Sequence, residues 1–193
     1  MIPSFKDYVN RRADIALVPG SFKPPHKGHY DMVEKYSKLA NDVVVLISAP
    51  SAKSERKTQT GKVITPQIAK EIFDLYTKNL PNVEVVISDL PSPVGAVYDA
   101  LETLGGKTVI LGASKKDNDW KRWSGAKSYI DKKQLNVDLI DPSMSAVSVV
   151  NKPNGMPYSA SNIRDNFNNP ELIKQDIPSH VNPDDVIRIL SSI

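Results

Sequence analysis

Short runs of apolar, β-branched residues recur along the chain and alternate with stretches whose apolar positions are spaced three or four apart. The short runs are typical of buried strands, and the wider spacing is typical of amphipathic helices. The predicted strands cover residues 14–19, 42–49, 83–88, 107–112 and 137–141. The predicted helices cover residues 27–40, 66–79, 94–104, 159–168 and 183–192.

Two of these helices carry more detailed predictions. Thr65 is expected to cap the second helix, because Pro66 then takes the first helical position, where its missing N–H does no harm. In the first helix the periodicity predicts one apolar face that consists of Met32, Val33, Tyr36 and Leu39.

The order of the elements predicts the fold class. Strands that are apolar throughout and alternate with helices indicate a parallel sheet covered on both faces. Right-handed crossovers then give an α/β, doubly wound, Rossmann-like fold with five parallel strands and additional C-terminal helices. We expect a single domain over residues 1–193, with a core of about 13–169 and a C-terminal helical appendage of about 170–193.

Composition narrows the class of protein only slightly. The 193 residues are 40% hydrophobic and 24% charged, and the net charge of +3 favours anionic ligands without indicating a nucleic-acid binder. The absence of cysteine excludes disulfides and thiolate chemistry. No apolar run approaches the length of a membrane span or of a signal sequence, so we expect a soluble, cytoplasmic protein that binds neither membrane nor nucleic acid.

The segment 19–36 gathers two of the three histidines, His26 and His29, where the first strand gives way to the first helix. Ligands of doubly wound sheets bind beyond the carboxyl ends of the strands. Residues three apart share a helical face, and a helix N-terminus favours phosphate. A lone histidine is more often structural, but two imidazoles here predict hydrogen bonds to phosphate oxygens, which would strengthen as charge builds in a transition state.

The sequence GSFKPPHKGH, residues 20–29, resembles the G-x-F-x-P-x-H-x-G-H signature of the nucleotidylyltransferase superfamily. This superfamily includes the nicotinamide-nucleotide and pantetheine-phosphate adenylyltransferases and the cytidylyltransferases. The later sequence SASNIR, residues 159–164, is similar to the S-[ST]-x-x-I-R helix start of the same superfamily, which looser members write as S-x-[ST]-x-I-R, and Ala160 departs from the stricter form. Alone it would be an ordinary helix cap, but its place after the first motif follows the order of the family.

The resemblance implies an enzyme in which an acceptor phosphate attacks the α-phosphorus of a nucleoside triphosphate and releases pyrophosphate. Mg²⁺ would enter with the triphosphate, without a metal site of the protein's own. His26 and His29 would contact the α- and β-phosphates, and Arg164 would hold the leaving phosphates. The further residues expected to bind the nucleotide and its phosphates are Gly20, Ser21, Phe22, Lys23, Gly28, Ser159 and Ser161.

The resemblance leaves the acceptor open. In nicotinamide-nucleotide adenylyltransferases a Gly-x-Asp after the fourth strand and a nearby tryptophan contact the acceptor nucleotide, and this chain has serine where that aspartate would stand. The residues expected to bind the acceptor are therefore Gly112, Ser114, Trp120 and Trp123, although packing beneath a charged helix is the more common role of a tryptophan and is expected for at least one of the two.

Several alternatives remain at this point. We expect transfer of AMP from ATP to a phosphate-bearing small molecule, with nicotinamide mononucleotide as one candidate. A cytidylyltransferase acting on a phosphorylated alcohol or sugar, or a non-catalytic nucleotide-binding relative, is the alternative. The basic loop 52–62 is either a lid that closes on anions or a solvated connection. The oligomeric state is left open between a monomer and a homo-oligomer.

Overall fold

The computed structural model of the protein describes residues 12–192. Five parallel strands form one sheet in the order β3-β2-β1-β4-β5. The chain adds its first three strands towards one edge and then returns to the other side of β1, so the direction of winding reverses between β1 and β4. The strands are β1 (Ala13–Gly20), β2 (Ala40–Ile47), β3 (Val83–Ile87), β4 (Thr108–Leu111) and β5 (Asp138–Leu139).

Eight α-helices lie within residues 12–192, and short 3₁₀ turns cover Ala52–Ser54, Lys116–Trp123 and Lys174–Asp176. Several helices begin with a polar cap followed by proline, as Thr65 and Pro66 do at α2. The helices are α1 (Lys27–Leu39), α2 (Pro66–Thr77), α3 (Pro93–Leu101), α4 (Ala126–Lys133), α5 (Pro142–Ser145), α6 (Ala160–Asn166), α7 (Pro170–Ile173) and α8 (Pro183–Ser191).

Apolar clusters cover both faces of the sheet. On one face Val33 and Tyr36 of α1 pack with Val18 and Val43 of the strands. The opposite face is covered by α3 and α4, and Leu17 of β1 belongs to that second cluster. Neighbouring residues of β1 therefore enter opposite cores, as the alternation of side chains along a strand requires. The doubly wound, Rossmann-like fold predicted from the sequence is confirmed.

A third apolar cluster attaches the C-terminal helices to α2. Ile163 of α6, Ile173 of α7 and Leu190 of α8 pack with Ile72 and Tyr76. The predicted boundary near residue 169 falls between α6 and α7, and the assignment of one domain over 1–193 stays a prediction, since residues 1–11 and 193 lie outside the described residues.

The predicted elements differ from the structure in several details, since the short helices α5 and α7 were not predicted and β2 spans Ala40–Ile47 where residues 42–49 were predicted. The first helix ends at Leu39, whose side chain is 44% exposed and not part of the buried face, because Ala40 already opens β2. The helix α4 lies in a charged segment for which no element was predicted. Its buried positions, Ala126 and Ile130, are too few to give a clear amphipathic signal among lysines.

Candidate active site

The two histidines cap the first turn of α1 and also cap each other. Nδ1 of His26 accepts a hydrogen bond from the backbone N–H of Gly28 at 3.1 Å, and Nδ1 of His29 accepts one from the backbone N–H of His26 at 3.2 Å. The rings stack with centroids 3.6 Å apart and an angle of 19° between their planes. Both imidazoles are therefore held in fixed orientations before any ligand binds.

This capping pattern determines where each imidazole proton lies. A ring nitrogen that accepts an N–H bond is unprotonated, so the neutral ring carries its proton on Nε2. Desolvation, opposed by the Asp176 carboxylate, lowers the pKa of His26 to about 4. Desolvation and then the proximity of His26 lower the pKa of His29 well below its ordinary value. At neutral pH the pair consequently offers two uncharged Nε2–H donors.

The histidines line a cavity of about 340 Å³ at the switch between β1 and β4. Gly28 forms part of its floor, and a Cβ atom added there would lie 3.1 Å from the His26 ring and 3.3 Å from Tyr158. The apolar part of the wall comes from Met32, Val149, Val150, Pro157 and Tyr158. We call this space the histidine cavity, and it combines an apolar wall with a few convergent polar groups, as small-molecule sites do.

Phe22 connects the histidines to the core. Its φ is 48°, in the left-handed region that side chains other than glycine seldom adopt. The ring meets His29 and Phe73 edge-on, with centroids 5.0 Å from each, and it covers Gly20 so closely that an added Cβ would lie 2.7 Å from it. Packing on three sides therefore holds this unfavourable backbone conformation in place.

The second motif begins α6. Ser159 is the N-cap, and its Oγ accepts the backbone N–H of Asn162 at 3.0 Å. Arg164 donates from one guanidinium nitrogen to the carbonyl of Lys23 at 2.8 Å and from the other to Oγ of Ser161 at 2.7 Å. Arg164 thus joins the two motifs across 141 positions of the chain.

Arg164 lines a second cavity, of about 560 Å³, which we call the basic cavity. The histidine cavity adjoins it, and Ser21 lies in the wall of both. None of the described residues that line it is acidic. Its charged side chains are Lys23, Lys53, Arg56 and Arg164, and its hydroxyl groups come from Ser21, Ser51, Ser54 and Ser92.

Lys23 is the least exposed of these cations. The residue is 6% exposed, and its ammonium group donates to Oγ of Ser54 at 3.3 Å. Burial and then repulsion from Arg56 lower the pKa of the Lys23 ammonium, although Glu55 raises it. A buried ammonium without a carboxylate in contact is unfavourable on its own, so the site favours an anionic ligand.

The residues predicted to bind the acceptor are dispersed. Ser114 lines the histidine cavity. Gly112 is enclosed, because an added Cβ would lie 2.9 Å from the Leu17 carbonyl oxygen. Trp123 is 2% exposed and donates from Nε1 to the Gly112 carbonyl at 3.2 Å, so it packs in the core and cannot stack on a ligand. Trp120 packs against the same core cluster and does not line either cavity.

Three residues that the sequence analysis missed belong to the site or its support. Arg122 lines the histidine cavity, donates to the Gly112 carbonyl at 2.7 Å and lies over the Trp123 ring. Tyr158 lies beside His26, with ring centroids 6.5 Å apart. Asp176 is a fully buried carboxylate behind the Ser159 turn. Of these three, only Arg122 could have been found from the sequence, since it stands between Trp120 and Trp123, the two tryptophans predicted to bind the acceptor.

The described residues offer few carboxylate ligands for a divalent metal ion near the two cavities. Within residues 12–192, no group of three or more His, Cys, Asp or Glu side chains comes together as a metal site. The one carboxylate among the described residues that line the two cavities is Asp119.

None of the helices in this described part combines the length and the hydropathy of a membrane-crossing segment.

Residues 17–166 match the model of the Cytidylyltransferase-like family, and the chain belongs to this family. The nucleotidylyltransferase resemblance predicted from the two motifs is confirmed, and the protein is a nucleotidyltransferase. It is similar to the phosphopantetheine adenylyltransferase of Leuconostoc mesenteroides subsp. mesenteroides, with 27% identity over 78% of this chain and 80% of the relative. The enzyme of the same name from Lachnoclostridium phytofermentans is 31% identical over 51% of this chain and 53% of the relative.

A solved structure of a bifunctional NMN adenylyltransferase/ADP ribose pyrophosphatase from Francisella tularensis, in complex with AMP and a manganese ion, shares the fold. The TM-score is 0.51 at 16% identity, and the match covers 94% of this chain. This chain spans about half the length of that protein, 50% in this comparison. At this level of identity the similarity concerns the fold alone.

Proposed function

We propose that the protein transfers AMP from ATP to a small molecule that carries a phosphate monoester, with release of pyrophosphate. The observation that carries this proposal is the pair of fixed, neutral Nε2–H donors in a cavity that adjoins a second one, whose charged side chains are all cationic. A reaction that joins two phosphorylated substrates needs both kinds of environment. The catalytic contribution is positioning and charge stabilisation, since no protein nucleophile is required.

The adenosine would occupy the histidine cavity, where Gly28 lets a base approach the backbone and Tyr158 offers an aromatic face. The α-phosphate would then lie at the junction of the cavities near Ser21, within reach of His26 and His29. Donors that are fixed in advance stabilise developing negative charge without reorganisation, which is the main source of rate acceleration in such sites. Uncharged donors also avoid holding a permanent positive charge in the emptied site.

The basic cavity would hold the other anionic groups. Ser161 and Arg164 would take the departing β- and γ-phosphates, and a guanidinium can contact two phosphate oxygens at once. Lys53 and Arg56 would hold the phosphate of the acceptor. Lys23 connects Arg164 with Ser54 in the wall of the basic cavity, because its carbonyl accepts from Arg164 and its ammonium donates to Ser54. Mg²⁺ bound to the triphosphate would neutralise part of its charge and help pyrophosphate to leave.

The character of the basic cavity also bears on the acceptor. Four cationic side chains would repel the positively charged ring of nicotinamide mononucleotide, and the buried Trp123 gives that ring no surface for stacking. An acceptor with an uncharged body, such as phosphopantetheine, fits better. The names of the relatives that are 27% and 31% identical support the same choice, and they also favour ATP over CTP.

A pyrophosphate-release assay tests this proposal directly. ATP and CTP are each combined with Mg²⁺ and one acceptor: phosphopantetheine, nicotinamide mononucleotide or a phosphorylated alcohol. We expect release with ATP and phosphopantetheine, and at least tenfold lower kcat/KM with the other pairs, since a mispaired polar group is strongly rejected. Preference for CTP would overturn the nucleotide assignment. Preference for nicotinamide mononucleotide would overturn the acceptor, and no release with any pair would overturn the reaction.

A further inference from the structure

Asp176 lies on the 3₁₀ turn Lys174–Asp176, ten residues beyond the last position that matches the family model. Its side chain is fully buried and receives three hydrogen bonds. The donors are the backbone N–H of Ser159 at 2.6 Å, Nδ2 of Asn162 at 2.8 Å and Nζ of Lys152 at 2.7 Å. A charged group is rarely buried without a role, because leaving water is costly unless every lone pair finds a donor.

Two of these bonds fix the start of α6. The backbone N–H of Ser159 donates to the Asp176 carboxylate, and Oγ of Ser159 accepts a hydrogen bond from the backbone N–H of Asn162. Nδ2 of Asn162 donates two hydrogen bonds, one to the Asp176 carboxylate and one to the Leu172 carbonyl at 2.8 Å. Arg164 follows two residues later on the same short helix. The carboxylate therefore holds two residues of the first turn of this helix.

The third bond reaches the other cavity. Lys152 forms a turn in which its backbone N–H donates to the Met156 carbonyl at 2.9 Å, and Pro157 and Tyr158 of the histidine cavity follow directly. The Lys152 side chain is almost completely buried against Asp176. One carboxylate thus holds the segment from 152 to 162 at both ends, and this segment contributes to the walls of both cavities.

We propose that Asp176 is a positioning residue for phosphate binding, acting through the Ser159 turn on Arg164 without touching the ligand. The alternative is that the buried ion pair only stabilises the fold. The proposal rests on the proposed function for its activity readout, but pyrophosphate binding tests it independently of turnover.

The informative variant removes the bonds without leaving a buried charge. Asp176→Asn alone would leave the Lys152 ammonium unpaired and could unfold the chain, so Lys152→Met accompanies each change at Asp176. We expect Asp176→Ala/Lys152→Met to weaken binding of inorganic pyrophosphate about tenfold by calorimetry and to lower kcat/KM about 30-fold. Asp176→Asn/Lys152→Met keeps an oxygen that can accept from Ser159, and we expect it to recover most of this loss.

A double-mutant cycle with Arg164 distinguishes positioning from stability. If Asp176 acts through Arg164, adding Asp176→Ala/Lys152→Met to Arg164→Ala should weaken pyrophosphate binding by less than about twofold further. The control is Leu190→Ala, which destabilises the same apolar cluster without touching a polar contact and should leave binding per folded molecule unchanged. All variants are compared below their melting temperatures, after circular dichroism has confirmed folding.

Two results would overturn the proposal. One is unchanged pyrophosphate binding by the folded Asp176→Ala/Lys152→Met variant. The other is a loss of equal size in the presence and in the absence of the Arg164 side chain. A wild-type protein that binds pyrophosphate through this network but shows no turnover would count against the proposed reaction instead, so the two failures are distinguishable.

Discussion

The starts of α1 and α6 border the histidine cavity and the basic cavity, respectively, but they are held by different means. Nδ1 of His26 accepts from the backbone N–H of Gly28, and Nδ1 of His29 accepts from the backbone N–H of His26, so these bonds span only two and three residues. Ser159 is held from a distance, by Asp176 seventeen residues later. The first site is therefore built by a short piece of chain, whereas the second depends on correct packing of the C-terminal helices.

This difference has a physical consequence for the order in which the site forms. Local capping can form as soon as the helix does, since the partners are already neighbours. A hydrogen bond to the buried Asp176 requires the region of α7 and α8 to pack first. Burial of the carboxylate is unfavourable until its hydrogen-bond donors surround it. The histidine end of the site should accordingly tolerate changes in the appendage better than the Arg164 end.

The largest effect is expected from His29→Ala, which removes one of the two fixed donors. We expect turnover to fall by about two to four orders of magnitude, because a preorganised donor acts mainly on the transition state. Circular dichroism should show a folded protein, since the change removes one capping bond and the ring contacts with His26 and Phe22 but leaves the core clusters intact. A variant with full activity would remove His29 from the catalytic assignment.

An intermediate effect is expected from pH, through His26. The folded-state pKa of about 4 lies below the ordinary value of 6.5, so between these values the unfolded chain binds more protons. Stability is therefore complete above about pH 6.5 and is lost as pH falls, by roughly 3 kcal/mol for this residue.

Denaturant unfolding of the wild type and of His26→Asn, at several pH values between about 7 and 4, measures this contribution. Asparagine preserves a capping oxygen but does not titrate. As the pH falls through this range, the free energy of unfolding of the wild type should decrease relative to that of the variant. Parallel curves would show that burial of His26 does not depress its pKa.

The smallest effect is expected from Ser159→Ala. Loss of the cap should lower the free energy of unfolding by about 1 kcal/mol. Activity should remain within about threefold of the wild type, because Asp176 still accepts the backbone N–H of residue 159. Thr65→Ala is the matched control, since Thr65 caps α2 in the same way, at 3.3 Å from the Ile68 nitrogen, and lies outside both cavities. A large loss of activity in Ser159→Ala alone would show that the serine oxygen itself binds phosphate.

The parts of the structure that could be predicted from the sequence are those encoded by neighbouring residues. The alternation of strands and helices follows from apolar periodicity, and the capped start of α2 follows from Thr65 and Pro66. The His26 and His29 pair was selected because its residues are close in sequence. The stacking of the two rings, the nitrogen on which each ring carries its proton and the lowered pKa values are known only from the structure.

The parts that could not be predicted depend on packing between distant segments. Trp123 is buried because it packs in the apolar cluster on one face of the sheet, where the Gly112 carbonyl accepts its N–H, and nothing in the local pattern distinguishes it from an exposed tryptophan. The basic cavity combines Lys23 with Lys53 and Arg56 of the loop 52–62, which the sequence analysis left undecided. Asp176 had no local signal, since its donors lie 14 to 24 positions away.

The crowding of like charges in the basic cavity also affects how the protein should be handled. Lys23, Lys53, Arg56 and Arg164 repel one another when no anion is present, so a small polyanion in the medium is attracted to the basic cavity, which under the proposed function also receives the substrates. Phosphate, sulfate and citrate in a purification buffer would act as competitive inhibitors and would also raise the melting temperature. A preparation that has been stabilised in such a buffer would therefore show weakened apparent affinity until it is dialysed.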